Sequence, residues 1–290
     1  MSEPATAAAK TTFALLAGAA YDPTAAGGMV AWQRPNGTAL LLRGGSATGL
    51  PGSHPALGGA RVAWREGDAL AIADATTLQR LDRRSAPGAG VLALSDQALA
   101  WRTRDAEGID RLWVSAGAEP RLVLESRAPT EIGRPALAGN VLLCHTAGPL
   151  GSELMSIDLA TGAQRVLRTE PGAQITNPAT DGSRLLYVHA TGQTQQLRLG
   201  PLAPADPAAD RVLLVHASPG RRDRGHEHGR QRHRTGYGGR RPPLPPRTTS
   251  GVVATLWTTA LSGDTAYVAR LRTVKGRPQT AEILSVPARP

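Results

Sequence analysis

A single cysteine, Cys144, stands in 290 residues, so no disulfide can form within the chain. It sits in the apolar run Val141-Leu-Leu-Cys-His, which reads as a buried small side chain and not a reactive thiol. Aromatic residues make up only 3% of the chain. The apolar content therefore rests on Ala, Leu and Val, and a core must be built in thin layers with few large anchors. No apolar run reaches the roughly 18 residues that a membrane-crossing helix needs, so no transmembrane segment is expected. The N-terminus is a poor secretion signal, with Glu3 among its first charges and a marginal apolar run at 13–18. That start implies a cytoplasmic location. Also missing is any recognisable chemistry. No Ser-His-Asp or paired-carboxylate arrangement can be placed from spacing, so no catalytic, cofactor-binding or metal-ligating residue is assigned and no cofactor is expected.

Glycine (33) and proline (23) are abundant and spread along the chain, which favours many short strands over long helices. A phrase recurs: a proline, a turn-like segment, then a short apolar run ending nine residues later in a large side chain. Pro23 leads to Trp32, Pro55 to Trp64, Pro135 to Cys144 and Pro178 to Tyr187. With Trp101 and Tyr267 these form six anchors, spaced by 32, 37, 43, 43 and 80 residues. Each anchor closes one strand; after it come a polar turn, a second strand such as Arg111-Leu-Trp-Val-Ser, another turn and a more polar strand such as Arg121-Leu-Val-Leu-Glu. Four strands per unit of about 40 residues, repeated around an axis, predict an all-β, six-bladed β-propeller of four-stranded antiparallel blades. The last unit ends at Pro290 without an outer strand, so a strand from the N-terminal region is expected to close the ring. Arg211-Val-Leu-Leu-Val resembles the start of a seventh unit. The residues after it are too polar to complete a blade, and it reads as the outer strand of blade five.

Asn177-Pro-Ala-Thr-Asp-Gly-Ser-Arg-Leu-Leu-Tyr-Val resembles the repeat of the TolB-like β-propeller family. So does Pro135-Ala-Leu-Ala-Gly-Asn-Val-Leu-Leu-Cys with its continuation Glu153-Leu-Met-Ser-Ile-Asp-Leu-Ala-Thr-Gly. The resemblance implies a six-bladed propeller used as a binding platform, commonly outside the cytoplasm, and carries over no catalytic residue.

The net charge of +10 is local. Between Gly220 and Arg247 nine arginines face only Asp223 and Glu227, which leaves +3 for the rest. Residues 219–250 are expected to form a disordered Arg/His/Gly/Pro-rich insertion between blades five and six, within a propeller domain spanning 10–290 that comes after a flexible 1–9. Arg221, Arg222, Arg224, Arg230, Arg232, Arg234, Arg240 and Arg241 are the candidate contacts for nucleic acid or another polyanion. Arg241-Pro-Pro-Leu-Pro-Pro-Arg247 has the pattern of a polyproline ligand. His226, His228 and His233 match no closed zinc site, and the arginines around them oppose a cation. Lysine occurs only at 10 and 275, so the other 31 of the 33 basic residues are arginine. That bias suggests GC-rich coding, and an out-of-frame read of such DNA gives a similar composition.

Trp32, Trp64 and Trp101 are expected in the core; Trp113 and Trp257 fall outside their register. His54 stands where Asp22 stands one repeat earlier, which suggests an exposed turn and not a base. Asp181 and Asp264 read as turn formers. The innermost segments, Pro-Ala-Leu-Gly-Gly and Pro-Ala-Leu-Ala-Gly, are poor in His, Glu and Asp. The functional expectation is thus a monomeric, non-enzymatic scaffold that binds a protein or peptide partner at one face of the ring. A lyase, lactonase or hydrolase acting at the central channel is the alternative, with polyanion contact through the arginine-rich segment as a third.

Overall fold

The computed structural model describes residues 14–18, 20–117, 119–192, 194–217, 253–274 and 277–289. Six antiparallel sheets stand in a ring, a six-bladed β-propeller. The only helical turn among the described residues is Pro207–Ala209. The innermost strands of blades one to three are Tyr21–Ala26, Ser53–Gly58 and Leu92–Leu94. Blade four has its inner edge in two pieces, Glu131–Ile132 and Ala136–Ala138, both paired with Val141–Gly148. Blades five and six begin with Gln174–Thr180 and Val253–Ser262. Arg211–Ala217 is the outermost strand of blade five, as its polar continuation implied, and opens no further blade.

The ring closes with the chain's first described strand. Ala14–Gly18 pairs antiparallel with Arg277–Pro287 and forms the outer edge of blade six. The chain then crosses directly to the innermost strand of blade one, with the Ala20 amide donating to the Ala281 carbonyl at 2.9 Å. One blade thus takes strands from both ends of the sequence, which ties the first blade to the last.

The core lies between the sheets. A four-stranded sheet is apolar on both faces and cannot cover either alone, so each blade buries its faces against its neighbours. The buried clusters track the blade boundaries. Leu41, Leu57, Val62 and Trp64 fill the space between blades one and two. Leu70, Ile72, Leu92 and Trp101 fill the next, and Leu143, Ile175 and Tyr187 join blades four and five. Outer strands carry the polar pattern, as in Arg80–Ser85, where no residue is buried.

The anchors Trp32, Trp64, Trp101, Cys144 and Tyr187 occupy matching places in the second strands and are all buried. The sixth is corrected by one residue. Ala260 pairs with Tyr267 as Ala93 pairs with Ala100, so Val268, not Tyr267, matches Trp101. A one-residue offset in a strand moves a side chain to the other face. Tyr267 accordingly packs beside Trp32 and Ile283, at the boundary of blades six and one.

Burial pushes the Cys144 thiol up to about 12, in keeping with a structural side chain. No helix among the described residues is long and apolar enough to cross a membrane. The expected insertion at 219–250, its eight candidate polyanion-contacting arginines, its histidines and residues 1–9 lie outside the described residues.

Candidate functional site

The innermost strands run along the central channel, and their register defines its layers. At one end the innermost strands of four blades are interrupted by a bulge. It falls at Asp22-Pro23 in blade one, His54-Pro55 in blade two, Asn177-Pro178 in blade five and Trp257-Thr258 in blade six. Arg134-Pro135 splits the inner edge of blade four at the same level. Asp22, His54 and Asn177 have φ of 54°, 51° and 53°. Asp, Asn and His tolerate this left-handed region better than other residues with a Cβ, which accounts locally for their presence. Proline comes next because the interrupted ladder needs no amide there. Counting from these bulges, Asp22, His54, Val91, Arg134, Asn177 and Thr258 are equivalent positions.

The equivalence turns a repeat feature into a cluster of dissimilar groups. Arg134 extends from blade four to blade one, on the opposite side of the ring. Its Nη1 donates to Asp22 Oδ1 at 3.1 Å and its Nη2 to the Pro23 carbonyl at 3.2 Å. Both side chains of the pair are largely buried. Burial pulls the Arg134 guanidinium below its ordinary range, and Asp22 opposes that shift. His54 is partly buried, with its Nδ1 3.1 Å from Ser53 Oγ. Burial holds its pKa down, Asp22 raises it, and the charges of Arg65 and Arg134 lower it further. Near neutral pH His54 is therefore an uncharged imidazole, fit to accept a proton or a hydrogen bond.

Neighbouring contacts knit this end together. The His54 amide donates to Gln33 Oε1 at 2.7 Å, and Gln33 Nε2 donates to the Tyr21 hydroxyl at 3.2 Å. Tyr21 stacks on Trp257, with centroids 6.4 Å apart and planes 18° apart. The Asn177 amide donates to Nδ1 of the buried His145 at 3.2 Å, and Thr259 Oγ1 donates to the Asn177 carbonyl at 2.6 Å. Burial first, then Arg102, takes His145 down to about 4.

The other end of the channel is different. Leu57, Leu94, Leu137 and Leu261 occupy one layer with Ala25 and Thr180. Beyond them a funnel of about 300 Å³ is walled by Gly, Ala and Ser, with Asp96 and Asp181 on its rim. Between this layer and Arg134 only about 50 Å³ is left. The channel is thus narrowed by an apolar leucine layer toward its hairpin end and is polar at its bulged end, where the Arg134–Asp22 pair spans it.

His54 is the clearest correction to the expectation from sequence: it belongs to the innermost strand at the channel, not to an exposed turn. Arg134, Asn177 and Thr258 were missed, although each of the first two precedes a repeat proline. Asp181 does form its turn, accepting from the Ser183 and Arg184 amides at 3.0 and 2.8 Å. No group of three metal-ligating side chains occurs among the described residues.

No protein-family model matches the chain, and no curated protein matches it. Solved propellers do. The acylaminoacyl peptidase of Pyrococcus horikoshii superposes with a TM-score of 0.53 at 11% identity, over 90% of this chain and 45% of that one. TolB from Acinetobacter baumannii gives 0.49 at 12% identity, over 86% and 59%. A puromycin-hydrolysing peptidase of Mycobacterium tuberculosis gives 0.46 at 15%, over 93% and 52%. The chain spans about half the length of these proteins, and at such identities the likeness shows the fold alone. The expectation of a non-enzymatic scaffold is nevertheless corrected. It was drawn from a propeller resemblance, and the solved propellers that superpose with a TM-score above 0.5 include acylaminoacyl peptidases. Its second premise, a channel poor in ionisable groups, fails at the bulged end.

Proposed function

We propose that this propeller serves a hydrolase and that the bulged end of its channel meets a small amide or ester substrate. The observation that carries the reading is the meeting of Asp22, His54 and Arg134, drawn from three blades to one end of the channel. A neutral imidazole accepts a proton or a hydrogen bond from the substrate. A buried guanidinium faces a carbonyl or carboxylate oxygen in surroundings of low dielectric, where such a contact is stronger than in water. Asp22 fixes Arg134 and balances its charge. The likeness to acylaminoacyl peptidases supports an acylated amino-acid derivative as substrate, and the repeat pattern supports a place among TolB-like propellers.

Calorimetric titration with N-acetylalanine amide tests the reading. Wild type should bind, and His54→Ala and Asn177→Ala should each weaken binding at least fivefold while melting as wild type does. No binding, or equal binding by all three proteins, contradicts it.

A further inference from the structure

The bulged end also shows a preference among ligands, an inference that rests on the reading just given. Its charge is lopsided. Among the charges that act on its two imidazoles, Arg65 and Arg134 on His54 and Arg102 on His145 face only the Asp22 carboxylate. Arg134 carries five N–H groups, and its bonds to blade one engage only one on each terminal nitrogen. Thr258, the blade-six equivalent of Asp22, is 4% exposed, and its hydroxyl has no hydrogen-bond partner among the described residues. A buried hydroxyl without a partner is uncommon in folded proteins and marks a position where an acceptor from outside would be favoured. Beside these groups lies an apolar platform. Tyr21 and Trp257 immediately precede Asp22 and Thr258, they stack on one another, and Trp257 keeps 45% of its surface exposed. Exposed tryptophan that adjoins the spare Thr258 hydroxyl and stacks on the residue before Asp22, the partner of Arg134, offers one flat apolar contact and one anionic contact within a single small ligand.

We propose that the bulged end binds a small aromatic carboxylic acid, with the carboxylate received by Arg134 and the Thr258 hydroxyl and the ring laid against the Tyr21–Trp257 stack. The neutral amide of the same acid loses the charge-assisted contact, and an acid without a ring loses the platform.

The test compares three probes, N-acetylphenylalanine, its amide and N-acetylalanine, by calorimetry together with amide chemical-shift mapping. The free aromatic acid should bind at least tenfold tighter than its amide and at least fivefold tighter than N-acetylalanine, more weakly as salt rises. Thr258→Val, which keeps the shape and removes the hydroxyl, should erase most of the advantage of acid over amide. Trp257→Leu should erase most of the advantage of phenylalanine over alanine. Arg134 is avoided because its loss endangers folding. Equal affinity for acid and amide, with shifts at the bulged end, overturns this ligand class and leaves the hydrolase reading standing. Absence of shifts at that end with every probe overturns both.

Discussion

Arg134 and Asp22 are 112 residues apart in sequence, yet they meet across the central channel, from blade four to blade one. The contact places one buried cation against one buried carboxylate at the level where the innermost strands change course. It also braces opposite sides of a ring in which the other side-chain hydrogen bonds between blades, among the described residues, join neighbouring blades. Breaking a buried pair by removing one partner costs about 3–5 kcal/mol, because the survivor stays buried without compensation. Arg134→Met should therefore lower unfolding stability by about that amount in urea titration. Asp22→Asn should cost less, since asparagine keeps an acceptor and tolerates the positive φ.

A second buried pair is purely structural. Arg168 Nε and Nη2 donate to Asp210 at 2.6 and 2.9 Å, and the Tyr187 hydroxyl donates to the same carboxylate at 2.7 Å. Arg168 further donates to the carbonyls of Leu167 and Pro201, pinning the connection that precedes Arg211. Asp210→Ala should cost about 3–5 kcal/mol, and Tyr187→Phe about 1 kcal/mol. Gly200→Ala should be as damaging as Asp210→Ala, because a Cβ there would lie 1.8 Å from Asp210 Oδ1. Thermal melts of the three variants check this order.

Stability should fall on acidification, chiefly through one histidine. His145 binds its proton only near pH 4 when folded, against 6.5 when free. Between those values the unfolded chain holds more protons than the folded one, so stability decreases as pH drops from about 6.5 to about 4. The shift corresponds to roughly 3 kcal/mol at its limit. His145→Gln should flatten that part of the profile, measured as urea midpoints from pH 7 to 4. A larger residue at Gly133 should abolish folding whatever the pH, because a Cβ there would lie 1.7 Å from the imidazole.

Removing residues 1–19 should open the ring. Without Ala14–Gly18 the strand Arg277–Pro287 becomes an unprotected edge, which invites pairing between molecules. The truncated chain should melt lower and elute as larger species in size-exclusion chromatography, while the full chain elutes as one peak.

The ring was legible in the sequence because its determinants are local and repeated. Pro23, Pro55, Pro135 and Pro178 mark the bulges, and the tryptophans at 32, 64 and 101 mark the second strands. Legibility faded where the repeat loses its proline. Blade six has Thr259 in that place, and there the anchor was misplaced by one residue, from Val268 to Tyr267. Blade three has Leu92, and its inner strand is also the shortest uninterrupted one. The site was illegible for a different reason. The repeat aligned Asp22 with His54, but only ring closure brings Arg134 across to them, and no local pattern encodes a contact between opposite blades. The proline rule explains the turn conformation of these residues without revealing that the turns line a channel.

The most direct measurement is a map of backbone amide shifts in the full chain on titration with N-acetylalanine amide. If the bulged end is the site, changes appear around residues 21–24, 53–55, 134–135, 177–178 and 257–259. Changes confined to the opposite mouth, around 57–59, 94–96, 137–139 and 261–263, would contradict that assignment.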